Sequence, residues 1–354
     1  MRVLLAAPTF GVYGGIEVFV MTLADWLRSN TEHEIRVCFK VVEGCQVAPT
    51  LESHCARFGS AHEFVRRGSR RLLANIRWAE LVHSNTCSPD IALLSKMAGR
   101  PLVLTVHNWF RGKRGLRNRV WYFCNRIADW RTYNSAFVLS TWEPDGPRTR
   151  SDLIPAVSAL PQGEVDPAQR RGFFFISRLL ENKGVDVLVK AYAQARIDRS
   201  RWPLTIAGDG PRGEWARSYI AQHALEGIEL LGFVTEEEKA RRIAGAKWLV
   251  APANTKEDMG LTPIEARSVG VPAIVTRDGG LPESAGPAAV LCRPGDVDDL
   301  SAGLERVTTM SEAEYCQRAT LARESLRTYL RPLSDYVAIY ERVTAASSPL
   351  PSRA

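Results

Sequence analysis

Short apolar runs recur along the chain, bounded by glycine, proline or polar clusters, and they alternate with stretches whose apolar positions follow a helical period. Residues 2–8 read as a buried strand, and a glycine-containing turn follows. Ile16, Phe19, Val20, Leu23 and Leu27 then fall on one face of a helix. Further strands are expected at residues 34–40, 80–84, 101–106 and 136–140, with helical patterns between them. Such alternation predicts a parallel sheet covered on both faces.

The pattern breaks at residues 161–171 (PQGEVDPAQRR), a polar, proline-bounded stretch that reads as an interdomain linker. A second run then begins, with strands expected at residues 173–176, 203–207, 228–231, 248–251, 272–275 and 288–291. Residues 185–196 and 236–246 read as helices between them, and residues 332–347 as a final amphipathic helix. The fold class expected is α/β, with two Rossmann-like doubly wound domains, residues 1–163 and residues 168–331. In such sheets ligands bind at the carboxyl ends of the strands, at the point where strand order reverses, so two facing sheets would hold a substrate between them.

Composition adds limits. The 354 residues exceed what one ordinary core supports and suit two. A 45% hydrophobic, 24% charged chain without low-complexity tracts is an ordinary globular one, with disorder expected only in residues 347–354. The apolar run at the N-terminus is too short for a signal peptide, and no stretch approaches the ~20 apolar residues of a membrane span. A cytoplasmic protein, or one resting on a membrane face, is expected. Seven scattered cysteines, with no CxxC, read as reduced core thiols rather than metal ligands. The net charge of +7 gathers at residues 66–77 and 111–131, where arginine and lysine alternate with Trp, Tyr and Phe. Such stretches suit anionic lipid headgroups or nucleic acid, and a solvated helix face accounts for them equally.

Three motifs carry chemistry. Phe10-Gly11-Val12-Tyr13-Gly14-Gly15 lies between the first strand and helix, where glycines let backbone N–H groups approach an anion at a helix N-terminus. A tight turn explains one of these glycines more easily than the Gly14-Gly15 pair. In Ser177-Arg178-Leu179-Leu180-Glu181-Asn182-Lys183-Gly184, two cations five residues apart follow a strand and could clamp a diphosphate, or be solvated loop charges. In Glu257-Asp258-Met259-Gly260-Leu261-Thr262-Pro263-Ile264-Glu265, a loop carboxylate precedes a helix bearing another. Thr262 suits the N-cap there and Pro263 the first turn, leaving backbone N–H groups free for phosphate or sugar oxygens. Both acids are equally ordinary at a helix start.

These motifs, in this order and across nearly the whole chain, resemble the GT-B fold, family 4 retaining glycosyltransferases. GVYGGIE resembles that family's N-terminal glycine loop, SRLLENKGVD its GRL-x-x-x-KG segment, and EDMGLTPIEARSVGVPAIVT its Glu-x7-Glu signature. Gly279-Gly280-Leu281-Pro282-Glu283 matches its GG-x-x-E. The resemblance implies that Arg178 and Lys183 hold a donor diphosphate and that Glu265 binds the ribose. It implies that Glu257, with the backbone of Gly260 and Leu261, meets the transferred sugar, and that Gly14 and Gly15 line the phosphate and acceptor side; Thr262 is expected among the donor-binding residues. His107 falls where the family places a histidine near the reacting sugar, although a strand-end histidine is often structural. The last helix would cross back to the N-terminal domain. Two departures stand out: residues 153–158 replace the usual Asn-Gly-Val-Asp, and Met259 replaces a phenylalanine.

The implied activity is transfer of a sugar, with retention, from a UDP- or GDP-sugar to an acceptor hydroxyl. The acceptor expected is a lipid-linked or surface-polysaccharide intermediate. No cofactor and no metal are expected, nor is nucleic acid a partner; an anionic membrane surface is. Two further motifs are read as structural. Gly208-Asp209-Gly210-Pro211-Arg212-Gly213 spells a dinucleotide fingerprint but sits mid-chain, and Glu229, about the right distance on, starts a strand instead of ending one; Asp296-Val297-Asp298 opens a helix. The other readings are a noncatalytic nucleotide-sugar or glycan-binding protein, a GT-B-like epimerase or phosphorylase, and a Rossmann oxidoreductase.

Overall fold

The computed structural model describes residues 1–112, 114–155, 160–161 and 165–347. The chain divides into two units, Met1–Ser158 with Leu330–Ala354, and Ala159–Tyr329.

Strand and helix alternate through the first unit: β1 Arg2–Thr9, α1 Gly15–Asn30, β2 Glu34–Val41, α2 Pro49–Cys55, β3 His62–Arg66, α3 Arg70–Trp78, β4 Leu81–Asn85 and α4 Pro89–Met97. They are followed by β5 Leu102–Val106, α5 Leu116–Ile127, β6 Trp130–Tyr133, α6 Ala136–Trp142 and β7 Ser151–Leu153. The strands form one parallel sheet in the order β3-β2-β1-β4-β5-β6-β7. Chain direction across the sheet therefore reverses between β1 and β4. The core strands are buried on both faces, which is why β1 and β5 read as near-continuous apolar runs, whereas β4 buries the polar His83, Ser84 and Asn85.

One expected strand is a helix. Residues 136–140 (AFVLS) lie in α6, because Ser135 caps it through a 3.0 Å bond from Val138 N–H to the Ser135 hydroxyl. The strand comes earlier, at β6. A five-residue apolar run fits either element, and the cap decides. Strands β3 and β7 and helix α2 were not legible as elements.

The second unit repeats the plan: β8 Arg171–Ile176, α7 Val185–Gln194, β9 Leu204–Ala207, α8 Arg212–Gln222, β10 Ile228–Gly232, α9 Glu236–Gly245 and β11 Ala246–Ala251. It continues with α10 Leu261–Ser268, β12 Ala273–Thr276, α11 Leu281–Ala285, β13 Val290–Cys292, α12 Val297–Thr308 and α13 Glu312–Tyr329. Its parallel sheet runs β10-β9-β8-β11-β12-β13, with the reversal between β8 and β11. Of the expected linker, residues 162–164 lie outside the described residues, and Pro167–Gln169 form a short 3-10 turn capped by Asp166.

The final helix, α14 Ser334–Ser347, belongs to the first unit. Tyr336, Ile339, Tyr340 and Val343 are buried with the residues of β1, β2 and α1. At roughly 1.5–3 kcal/mol per large apolar side chain removed from water, this stripe holds the helix firmly. A polar chain lies beneath it: Tyr340 Oη is 2.7 Å from His83 Nδ1, His83 Nε2 is 2.6 Å from Thr105 Oγ1, and Thr105 is 2.7 Å from Thr132. Among the described residues no helix is long and apolar enough to cross a membrane.

Burial pushes His83 down from an ordinary pKa of 6.5 to about 3, and His107 to about 4. Both are neutral in the folded chain and protonate when it unfolds in acid. Their contribution to stability is therefore complete above pH 6.5 and is lost as pH falls towards the folded values. Urea midpoints of the first unit should decline from pH 6.5 to pH 4. Tyr340→Phe, which strands a buried His83 nitrogen, should remove about 1–3 kcal/mol. A Tyr340→Phe midpoint equal to wild type would contradict this account of the helix.

Candidate donor site

The loops that carry the second and third motifs leave β8 and β11, the two strands that flank the reversal point of the second sheet. Glycines fix their positions. After β9, Gly208 (φ +121°) and Gly210 (φ +148°) bring backbone against the β8 loop. A Cβ on Gly208 would lie 1.8 Å from Ser177 O, and one on Gly210 2.7 Å from Leu179 O. Backbone bonds close the contact: Leu179 N–H to Asp209 O at 2.8 Å and Arg212 N–H to Leu179 O at 2.9 Å. The dinucleotide-like spelling therefore serves packing, and these glycines are turned to the neighbouring loop.

Gly184 (φ +76°) ends the 3-10 turn Glu181–Lys183 and opens α7. A Cβ there would sit 2.0 Å from Pro252 O, and Asn254 N–H donates to Asn182 O at 3.2 Å. Gly279 and Gly280, after β12, press on the other side: their Cβ positions would fall 2.4 Å from Glu257 O and 2.5 Å from Asp258 O. Gly280 N–H donates to Glu257 O at 2.8 Å. Four loops are thus locked into one surface at the carboxyl ends of β8, β9, β11 and β12.

On that surface Lys183 and Glu257 meet, with Nζ 2.7 and 2.8 Å from the two carboxylate oxygens. Each side chain is about four-fifths buried, at 21% exposure. Arg178 is exposed on the same β8 loop. Helix α10 begins with Gly260 as its N-cap, which offers no side-chain acceptor. The expected cap, Thr262, stands instead at the second helical position and Pro263 at the third. A Cβ at Gly260 would lie 2.7 Å from a Leu281 methyl, so α11 packs closely on the cap. The first-turn N–H groups of Leu261 and Thr262 have no intrahelical acceptor and are available to an oxyanion.

Glu265, a little over one turn into α10, is 4% exposed. Its Oε1 accepts from Lys239 Nζ at 3.0 Å, while Oε2 is buried without a partner among the described residues. Burial raises the pKa of Glu265, and the Lys239 charge opposes that rise. For Lys239, burial opposes the charge, but Glu265 and Glu236 outweigh it and hold its pKa above the ordinary value. A carboxylate kept by one lysine, with one oxygen unsatisfied, is an acceptor waiting for a hydroxyl donor. Lys239 was missed in the sequence: it stands 26 residues from Glu265 inside an EEEKARR run that reads as a solvated helix face.

Residues Gly14, Gly15 and His107 lie in the first unit, at the corresponding reversal point. Gly14 is the N-cap of α1 and Gly15 its first residue. The strained position in this loop is Gly11 (φ +81°), whose Cβ would fall 1.9 Å from Gln46 O. His107 follows β5; its ring packs edge-on to Phe19 of α1 at 5.2 Å, and Nε2 is 3.3 Å from Asn85 Oδ1. Asn85 and Thr86, at the end of β4, are buried, and Thr86 adopts φ +80°, an outlier for a β-branched residue. Sequence reasoning missed both.

Among the described residues no group of three His, Cys, Asp or Glu side chains could hold a metal ion. Asp296 accepts from Asp299 N–H at 2.9 Å and caps α12, as expected. The cysteines of the described residues are free thiols.

Two doubly wound parallel sheets of the same strand order, with glycine-locked loops at the reversal point, define a GT-B-type fold. Known proteins give the family. Residues 13–156 match the family described as Glycosyltransferase Family 4, and residues 159–322 that described as Glycosyl transferases group 1. The chain belongs to these group 1, family 4 glycosyltransferases. It is 35% identical over 132 residues to the GDP-mannose-dependent monoacylated alpha-(1-6)-phosphatidylinositol monomannoside mannosyltransferase of Corynebacterium glutamicum, covering 35% of this chain and 34% of that one. It is 26% identical over 285 residues to the MMP alpha-(1->4)-mannosyltransferase of Mycolicibacterium hassiacum, covering 73% and 68%. Anabaena HepE, solved in complex with UDP and glucose, superposes with a TM-score of 0.76 at 18% identity, over 98% of this chain and 99% of that one. The chain matches only 34% and 37% of the length of the first two curated relatives.

If backbone contact at Gly208 holds the β8 loop, Gly208→Ala should destabilise the second unit by at least about 2 kcal/mol, or roughly 4–8 °C in Tm. Calorimetric melting checks it, and an unchanged Tm would remove the glycine lock from the account.

Proposed function

We propose that the chain is a retaining glycosyltransferase that moves a sugar from a UDP- or GDP-sugar to an acceptor hydroxyl. The observation that carries this reading is the concentration, on one locked surface, of the Lys183–Glu257 pair, Arg178, the open start of α10 and the unsatisfied Oε2 of Glu265. Two cations beside free helix N–H groups suit a diphosphate, and a half-satisfied buried carboxylate suits ribose hydroxyls. Relatives lend support: one is named for GDP-mannose, and HepE binds UDP.

In the unliganded chain Glu257 neutralises Lys183. A bound diphosphate would compete for that lysine and release the carboxylate towards the sugar, with the α10 N–H groups of Leu261 and Thr262. As the bond from the anomeric carbon to the β-phosphate oxygen breaks, Arg178 and Lys183 take up the charge on the departing oxygen. The acceptor oxygen attacks on the same face, its proton passes to the departing phosphate, and configuration is retained. His107, neutral above about pH 4, would offer the sugar a hydrogen bond rather than a charge, and Gly14 and Gly15 would line the acceptor side. The cations replace what a metal would supply, so the reading needs no metal and no cofactor.

The acceptor we favour is a lipid-linked or surface-polysaccharide intermediate, consistent with relatives named for a phosphatidylinositol mannoside and for O-antigen chains. The reaction is placed in the cytoplasm, at the inner face of the membrane.

Calorimetry with UDP, GDP, ADP and NAD, without added metal, should find a preference for UDP or GDP, and Glu265→Ala should abolish that binding. Binding of NAD alone, or of none, would overturn the donor assignment; nucleotide-sugar binding without turnover would make the chain a binding protein, and an epimer or sugar phosphate product another activity. Glu257→Gln should lower turnover by about a hundredfold or more yet leave diphosphate affinity unchanged or tighter, because Lys183 is released. Lys239→Met removes the charge that opposes the upward shift of Glu265, so nucleotide affinity should rise with pH more steeply in the variant than in wild type. A flat profile in Lys239→Met would show that the lysine does not govern Glu265.

A further inference from the structure

Helices α3, α4 and α5 pack their inner faces into one core, through Leu72, Ile76, Ile91, Ala92 and Cys124. Their outer faces combine two features that a solvated surface does not need together. The first is charge. Residues 66–77 and 111–127 hold eleven arginines and lysines and no acidic residue. Lys113 lies outside the described residues; of the ten arginines, only Arg71 has an ion pair among the described residues, to Glu63 at 3.4 Å.

The second feature is apolar. Leu93 and Met97, one turn apart on α4, are 42% and 81% exposed, and Leu116 and Phe123 on α5 are 78% and 51% exposed. Leu116, Arg119, Phe123 and Arg126 follow one another at helical spacing along α5, on the side opposite buried Cys124 and Asn125. Apolar and cationic side chains therefore share the same outward stripe. Exposed leucine, methionine and phenylalanine set among arginines are what an anionic bilayer rewards, since the first enter the acyl boundary and the second meet phosphates. A polyanion in water would use the arginines and leave the four apolar side chains idle.

We propose that α3, α4 and α5 form a docking face for an anionic lipid bilayer, with Leu93, Met97, Leu116 and Phe123 inserted and the surrounding arginines on headgroup phosphates. The inference goes beyond sugar transfer, standing on this surface alone, and it would keep a lipid-linked acceptor within reach of the first unit.

Flotation of the full chain with phosphatidylcholine vesicles, with and without 30 mol% phosphatidylglycerol as a chosen composition, tests it. Wild type should bind the anionic vesicles and release in high salt. Each arginine at the surface contributes roughly fivefold, so Arg117→Gln/Arg119→Gln/Arg126→Gln should weaken binding by roughly a hundredfold. Leu116→Ser/Phe123→Ser should weaken it by about tenfold or more while leaving the charge intact. All five positions are exposed, and the urea midpoint of the first unit reports whether each variant is folded, without depending on the vesicles. Equal binding to neutral vesicles, or none to anionic ones, overturns the proposal. So does a serine variant that binds as wild type, and a wild type that prefers single-stranded nucleic acid over anionic vesicles would assign the arginines to that partner instead.

Discussion

Direct approach of backbone to backbone at Gly184, Gly208, Gly210, Gly279 and Gly280 is the constraint on which the candidate site depends. Any side chain at these positions would overlap a carbonyl oxygen of a neighbouring loop, at separations of 1.8 to 2.7 Å. Four loops that belong to different strands consequently behave as one surface. That rigidity matters because charge stabilisation works only when donors and cations are already in place as charge develops. The parallel sheet supplies the common edge and the glycines remove the distance between loops.

Charge balance follows from the same closeness. Lys183 with Glu257, and Lys239 with Glu265, each place a lysine against a carboxylate that a ligand would otherwise need to find unpaired. The two pairs differ in burial. Glu257 is accessible enough to exchange partners, whereas Glu265 is nearly sealed and keeps its lysine while one oxygen stays unsatisfied. One pair suits a change of partner during reaction, and the other suits fixed recognition of hydroxyls.

Much of this was legible in the sequence because doubly buried strands announce themselves as apolar runs, and because the glycine and acid spacings fall at strand ends. Legibility failed where a local signal was ambiguous or the partner was distant. AFVLS fits strand and helix alike until Ser135 is seen to cap it. Thr262 fits a cap, but the helix starts earlier, with Gly260 as its N-cap and Leu281 packed against it. Spelling located Gly208 and Gly279, yet the contacts that require glycine there join segments far apart in the chain. Lys239 was hidden in a charged run, since nothing local tells which of its neighbours turns inward. Thr86, strained at the end of β4, carries no sequence signal at all.

The most direct test of a preassembled donor surface is backbone hydrogen exchange, followed by mass spectrometry, with and without saturating UDP or GDP. The account predicts that residues 177–184, 208–213, 252–262 and 279–281 gain protection together, as one cooperative unit, while the core strands hardly change. Protection confined to a single loop, or to the first unit, would contradict it.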